Sequence, residues 1–222
     1  MICKTIGFDE LSRSERWRVE IFTDAINSDL SSMWPPRPMT ELATESTDAI
    51  MPSAAEGSNI LYVGLENVES ITGEPVNLEI REKTDIRSRS KVFKTGQILY
   101  GRLRPYLRKA FLAGGPFAEG ICSTEFIVIS PNEKVILPQL LRVLLVSRAA
   151  TDQFARFQIG AALPRISSKD FFSVSLPVPP LNIQKKWLAK ATKLEREFRA
   201  ARHLVSAYPL ELESSVEELI AN

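Results

Sequence analysis

The spacing of apolar and polar side chains changes character twice along this chain. Up to about residue 34, charged residues are spread through helical-looking pieces, notably Arg16 to Leu30. Trp34-Pro-Pro-Arg-Pro38 then places three prolines in five residues, which excludes helix and interior strand because proline fixes φ and lacks an N–H. Beyond it, short apolar runs bounded by turn residues predict strands over Ile60 to Leu65, Gln97 to Tyr100, Ile121 to Ser130 and Val174 to Val178. Leu137 to Ser147, apolar at Leu140, Leu141, Val143, Leu144 and Leu145, predicts a helix, and a second covers Ala149 to Phe157. Met39 to Ala43 reads as a helical turn or the entry to a strand, Met51 to Asn59 as a loop and Gly73-Glu-Pro75 as a turn. Arg81 to Ser90 has neither period and reads as a surface loop, where recognition side chains are usually carried.

From Leu181 the pattern changes again. Trp187, Ala191, Leu194, Phe198, Ala201, Val205 and Tyr208 recur at alternating steps of four and three, the seam of a coiled coil sustained for three heptads. Pro209 interrupts it, and Leu210, Leu212, Val216, Leu219 and Ile220 suggest a second short helix. The stripe could be covered by the chain's own domain or by a partner. Its regularity after the Pro179-Pro180 exit favours a protruding helix that needs a partner. The expected fold class is α+β: a mixed, mostly antiparallel β domain with flanking helices over 35–180, a helical lead-in at 1–34, and a long C-terminal coiled-coil helix in an arm at 181–222.

Composition narrows the class. With 222 residues, 44% apolar and 25% charged, the chain can bury a real core and is neither disordered nor membrane-embedded. No apolar run approaches the roughly 18 to 20 residues of a membrane span, and Met1-Ile-Cys-Lys4 does not open a secretory signal, so a cytoplasmic location is expected. Cys3 and Cys122 cannot build a disulfide framework, and one histidine leaves no zinc spacing. Cys122 reads as a small buried hydrophobe.

Charge changes the picture further. Between Arg81 and Lys109 there are ten basic and two acidic residues, a net +8 in a chain whose total is +1. Such asymmetry implies a surface facing a polyanion, because phosphate contacts reward clustered Lys and Arg. The plainer reading is a hairpin with a solvated polar face. Candidate nucleic-acid-contacting residues are Arg81, Lys83, Arg87, Arg89, Lys91, Arg102, Arg104 and Arg108. Gly101, ending the strand before this hairpin, is expected to permit a turn or a close backbone approach.

Candidate catalytic chemistry is missing. An adenine methyltransferase needs an Asn-Pro-Pro-Tyr-like loop and a Gly-rich cofactor turn. The double prolines at Trp34-Pro-Pro-Arg37 and Val178-Pro-Pro-Leu181 lack the flanking polar and aromatic residues. Glu66, Glu119 and Glu125 are too scattered to mark a nuclease metal site, there is no P-loop, and His203 falls on the polar side of the seam. No catalytic residue, metal or cofactor is expected.

One resemblance ties these pieces together. Ile98-Leu-Tyr-Gly-Arg-Leu-Arg-Pro-Tyr-Leu-Arg-Lys-Ala-Phe-Leu-Ala113 followed by Gly120-Ile-Cys-Ser-Thr-Glu-Phe-Ile-Val-Ile-Ser130 resembles the target recognition domain of type I restriction-modification specificity subunits. Tyr62-Val-Gly-Leu-Glu-Asn-Val68, Pro164-Arg-Ile-Ser167 and Leu176-Pro-Val-Pro-Pro-Leu-Asn-Ile-Gln184 fit the same pattern in the same order, spanning about Ile60 to Leu204. The resemblance implies a non-catalytic DNA-binding subunit that reads part of a split double-stranded site, with methylation and cleavage left to methyltransferase and restriction subunits. Full-length members carry two such domains and this chain has the motif set once, so it implies a homodimer through the helical seam, or a fragment or natural half-subunit awaiting another half. Arg102 and Arg104 lie inside the shared motif and could instead brace the fold. The competing class is a coiled-coil interaction protein with an incidental basic loop, and a further one is an enzyme with an unrecognised site.

Overall fold

The computed structural model describes residues 34–54, 59–160, 162–193, 196, 197 and 200. The helical lead-in and the seam positions Leu194, Phe198, Ala201, Val205 and Tyr208 lie outside the described residues. The chain divides into two units between Pro180 and Leu181.

Two β-sheets form the first unit's frame. β2 (Ala43–Ser46), β10 (Phe126–Pro131), β7 (Ile98–Gly101) and β8 (Ala110–Leu112) make an antiparallel sheet in the order β2-β10-β7-β8. β3 (Ala49–Ile50), β6 (Ser90–Phe93), β9 (Gly120–Cys122), β4 (Asn59–Val63) and β5 (Ile80–Glu82) make the second, in the order β3-β6-β9-β4-β5. Only its β4–β9 pair is parallel. β1 (Pro36–Pro38) pairs with β11 (Ser175–Pro177) as a separate ribbon, where prolines are tolerated because an edge needs fewer donors. The helices are short: α1 (Met39–Leu42), α2 (Pro138–Leu145), α3 (Arg148–Ala155) and α4 (Ser168–Ser173). The Ser147 and Ser167 hydroxyls cap α3 and α4, accepting from Ala150 N at 3.3 Å and Asp170 N at 3.1 Å.

β7 explains the long apolar run in the sequence. Successive strand side chains point to opposite faces, yet Ile98, Leu99 and Tyr100 are all fully buried. Leu99 joins Val63, Phe93, Phe111, Cys122, Phe126 and Val128 in the core between the sheets. Tyr100 points the other way, its ring 5.2 Å from Phe154 of α3 and 4.9 Å from Phe171 of α4. Phe154 and Phe171 stack at 5.2 Å with an 11° interplanar angle. A strand covered on both faces reads as a continuous hydrophobic stretch rather than an alternation.

Two expectations need correction. Ile121 to Ser130 is two strands in different sheets, because Ser123 to Glu125 turn the chain between them: Phe126 N donates to Ser123 O at 3.1 Å and Glu125 N to Ser123 Oγ at 3.2 Å. A Ser-Thr-Glu step in an otherwise apolar run is the mark of that turn. Arg81 to Ser90 is likewise not all loop, since it includes most of the edge strand β5, a 3-10 turn at Lys83–Asp85 and the first residue of β6. The mixed, mainly antiparallel α+β class agrees with expectation; the expected coiled coil falls largely on residues outside those described, and the second unit begins with a helix over 181–193.

The aromatic trio sets a stability test. Phe171→Ala should cost about 3 to 5 kcal/mol in urea unfolding, through lost burial and a residual cavity. The Tyr100 hydroxyl is buried without a hydrogen-bond partner among the described residues, and burial raises its pKa. Tyr100→Phe should therefore be neutral or stabilising by up to about 1 kcal/mol in the same measurement.

Candidate nucleic-acid interface

The basic residues singled out from the sequence fall into two groups. Arg87 and Arg89 are exposed on the connection into β6, and Arg104 is exposed on the β7–β8 connection, where Arg108 is half-buried. Among the described residues, none of these four guanidinium groups has a hydrogen bond or carboxylate partner. Lys91 instead serves the frame, its ammonium 3.1 Å from Glu45 across two sheets with both side chains largely covered. Lys109, beside the candidates, donates to Leu65 O at 2.7 Å. Arg81, exposed on β5, lies over the Tyr62 ring at 5.2 Å, a cation–π contact. Lys83 is half-buried in the 3-10 turn, and Arg102 is half-buried with its Nε enclosed and lacking an acceptor among the described residues.

The 102–109 connection is held from several sides. Gly101 N donates to Lys109 O at 2.9 Å, Arg102 N to Glu125 O at 2.8 Å, and Arg104 N to Pro164 O at 2.7 Å. Ile166 N returns a bond to Arg102 O at 3.1 Å, and Ile71 N donates to Arg108 O at 2.9 Å. A 3-10 turn at Pro105–Leu107 is bounded by Arg104 and Arg108, both left-handed with φ of 50° and 51°. A side chain in that region is strained, and it persists because the surrounding bonds over-determine the backbone. The close approach expected at Gly101 is present: a Cβ there would lie 2.9 Å from Leu65 Cδ2.

Glu125 is the hinge of this corner. Its carboxylate accepts from Arg165 Nε at 3.0 Å and Arg165 Nη2 at 2.8 Å, a forked pair that raises the guanidinium pKa chiefly through the hydrogen bond. Arg165 also bridges Leu103 and Ile159 through its backbone, which zips the 159–165 loop onto the 102–109 connection. On the other side, Ser123 shares a side-chain hydrogen bond with Tyr62, whose phenol is pushed up mainly by burial. Arg81, Tyr62, Ser123, Glu125 and Arg165 thus form a chain of contacts from β5 to the 159–165 loop.

The sequence singled out neither Arg165, Glu125 nor Tyr62 for a role. All three lie in the recurring stretches quoted above, and their contacts show what those stretches do. Asn67 of the first stretch is buried, accepts from Gly64 N at 2.9 Å and donates to Val76 O and Asn77 O at 3.1 and 3.0 Å. The shared motifs tie loops to the frame, and Arg104 and Arg108, without partners among the described residues, lie on one of the loops so tied.

Among the described residues there is no group of three or more His, Cys, Asp or Glu side chains placed to hold a metal, and no helix long and apolar enough to cross a membrane. Cys122 is buried and its thiol is pushed up to about 12 by that burial, which makes it a poor nucleophile.

Fold and surface together define an α+β domain that carries guanidinium groups without partners among the described residues, Arg104 and Arg108 on a loop held by backbone bonds. The family model of the type I restriction modification DNA specificity domain matches residues 59–203. The chain belongs to that family, a class of DNA-recognition components that are not themselves catalytic. It is 29% identical over 136 residues to the specificity subunit of the type I restriction enzyme EcoDI from Escherichia coli, covering 61% of this chain and 29% of that protein. It is 28% identical over 140 residues to the HindI specificity subunit from Haemophilus influenzae, covering 62% and 30%. The crystal structure of the HsdS subunit from Thermoanaerobacter tengcongensis superposes with a TM-score of 0.65 at 27% identity, over 77% of this chain and 44% of that one. A structure describing complex assembly and conformational transition of the type I R-M system gives 0.66 at 27% identity over the same shares. The chain therefore spans under a third of the curated relatives and under half of the solved ones.

Removing the carboxylate that holds Arg165 should loosen the corner. Glu125→Gln is expected to speed tryptic cleavage after Arg165 severalfold, followed by mass spectrometry, because local opening governs such cleavage. An unchanged rate would mean that the backbone bridges alone hold the loop.

Proposed function

We propose that this chain is a DNA-binding specificity subunit of a type I restriction-modification system, working in the cytoplasm. It reads one half of a bipartite double-stranded site and directs methyltransferase and restriction subunits to it. The observation that carries this reading is the set of arginines without a partner among the described residues, Arg87, Arg89, Arg104 and Arg108, on loops of a domain in the DNA specificity family. Residues 35–180 form the recognition domain and 181–222 the helical arm. Arg81, Lys83 and Arg102 complete the DNA-facing set. Lys91 belongs to it only at its margin, since its ammonium is engaged with Glu45. The coiled-coil interaction protein with an incidental basic loop is not favoured, because the family match covers the β domain as well as the start of the arm.

Salt dependence tests the DNA face. Each phosphate contact adds about 0.9 to the slope of log affinity against log salt. Arg87→Ala with Arg89→Ala should weaken binding to a mixed-sequence duplex and lower that slope by about one to two. Unchanged affinity at low salt, read by fluorescence anisotropy, would remove these two residues from the interface.

Assembly rests on the seam. Trp187, Ala191, Leu194, Phe198, Ala201, Val205 and Tyr208 present one apolar stripe, and burying each large side chain is worth about 1.5 to 3 kcal/mol. We assign the cover to a second copy of the chain, with the methyltransferase subunit docking on the same helices. Leu194→Glu with Phe198→Glu should abolish self-association in light scattering while leaving the thermal midpoint of the β domain in place. A monomeric unmodified chain at high concentration would exclude the homodimer.

A further inference from the structure

Four of the large hydrophobic side chains most exposed on the described residues gather at one corner. Tyr106 is 50% exposed and Leu107 37%, both in the 3-10 turn of the 102–109 connection; Ile159 is 55% exposed and Leu163 45%, both in the neighbouring loop. The two segments are zipped together: Arg104 N bonds Pro164 O at 2.7 Å, and Arg165 bridges both Leu103 and Ile159. Apolar side chains exposed together on two bonded loops offer a surface that a partner can cover.

The surrounding charge says what it contacts. Residues 102–109 and 156–165 contain six basic side chains and no acidic one. Arg104 and Arg108 flank the tip of the turn and lack partners among the described residues. The nearby carboxylate of Glu125 is already engaged by Arg165. Through Glu125, Ser123 and Tyr62, the corner is continuous with Arg81 on β5. An apolar tip between unpaired arginines fits the groove of a polyanionic duplex, where guanidinium groups take phosphates and apolar side chains meet base edges or enter a base step.

We infer that the Tyr106–Leu107 tip contacts bases, that Arg104 and Arg108 anchor it on flanking phosphates, and that the tip contributes to sequence choice. This rests on the DNA-binding reading above. The left-handed backbone at Arg104 and Arg108 presets the turn, so little order is lost when DNA arrives.

The probe is the set of duplexes enriched from a random pool by the unmodified full chain. Tyr106→Ala with Leu107→Ala should weaken binding to them about tenfold, the scale of a lost base contact by an aromatic side chain. The salt slope should stay unchanged, because no charge is removed. The thermal midpoint should also hold, because neither side chain belongs to the buried core. Tyr106→Phe keeps the ring and should restore most of the loss when Leu107 is intact. Arg104→Asn, which suits a left-handed backbone, should instead lower the salt slope by about one. Wild-type affinity and the same enriched sequence in the double variant would overturn the assignment. So would normal DNA binding with lost capture of the methyltransferase subunit, which would make the corner a protein interface. If the unmodified chain enriches no sequence, the DNA-binding reading itself fails, and this inference with it.

Discussion

Strand Ile98–Gly101 is buried on both faces, and most of the first unit is arranged by that constraint. One face needs the second sheet, which supplies Val63, Phe93 and Cys122, and the other needs helices, which supply Phe154 and Phe171. Neither layer could be lost without exposing large apolar side chains, each worth about 1.5 to 3 kcal/mol. The strand's two ends are therefore fixed in space. The connection leaving it at Arg102 starts from a rigid point, and this lets a loop of exposed side chains hold one shape.

Arginine does two different jobs in this domain, and the partner distinguishes them. Arg165 is forked onto Glu125 and bridges two loops, and Arg142 donates to the carbonyls of Ile71 and Thr72 to secure the turn beneath the 102–109 connection. These are braces. Arg87, Arg89, Arg104 and Arg108 have no carboxylate among the described residues, so their charge faces outward uncompensated. Desolvating a guanidinium is favourable only where an anion replaces water, so outward-facing arginines on a rigid frame are suited to phosphate and the forked ones to holding the frame.

The class of the fold was legible because the apolar runs are long where strands are covered twice and short where an edge is exposed. The helices at 138–145 and 148–155 announced themselves by their apolar face. What escaped was local: the Ser123–Glu125 turn divides one apolar run between two sheets, and α4 is held by the Ser167 cap and by Phe171 rather than by a long periodic face. The basic candidates were visible as a charge count, but a count cannot tell Lys91, paired with a glutamate 46 residues earlier, from Arg89, which has no partner among the described residues. Long-range pairing decides that, and nothing in the local pattern encodes it. Most of the seam positions fall outside the described residues, so the arm rests on its periodicity.

The recurring stretches now have a physical division of labour. Asn67, Gly101, Lys109, Glu125 and Arg165 make bonds or close contacts that position loops, and each lies within a stretch that resembles the family. Arg87 and Arg89 lie between such stretches. A recognition side chain on a loop needs that loop held, because a misplacement of about 1 Å weakens a bidentate contact. Tyr106 and Arg104 break this division, being exposed yet inside a shared stretch. In the reading proposed above, Arg104 grips a phosphate and the Tyr106–Leu107 tip meets bases, so the 102–109 connection combines the support of a shared stretch with a contact of its own.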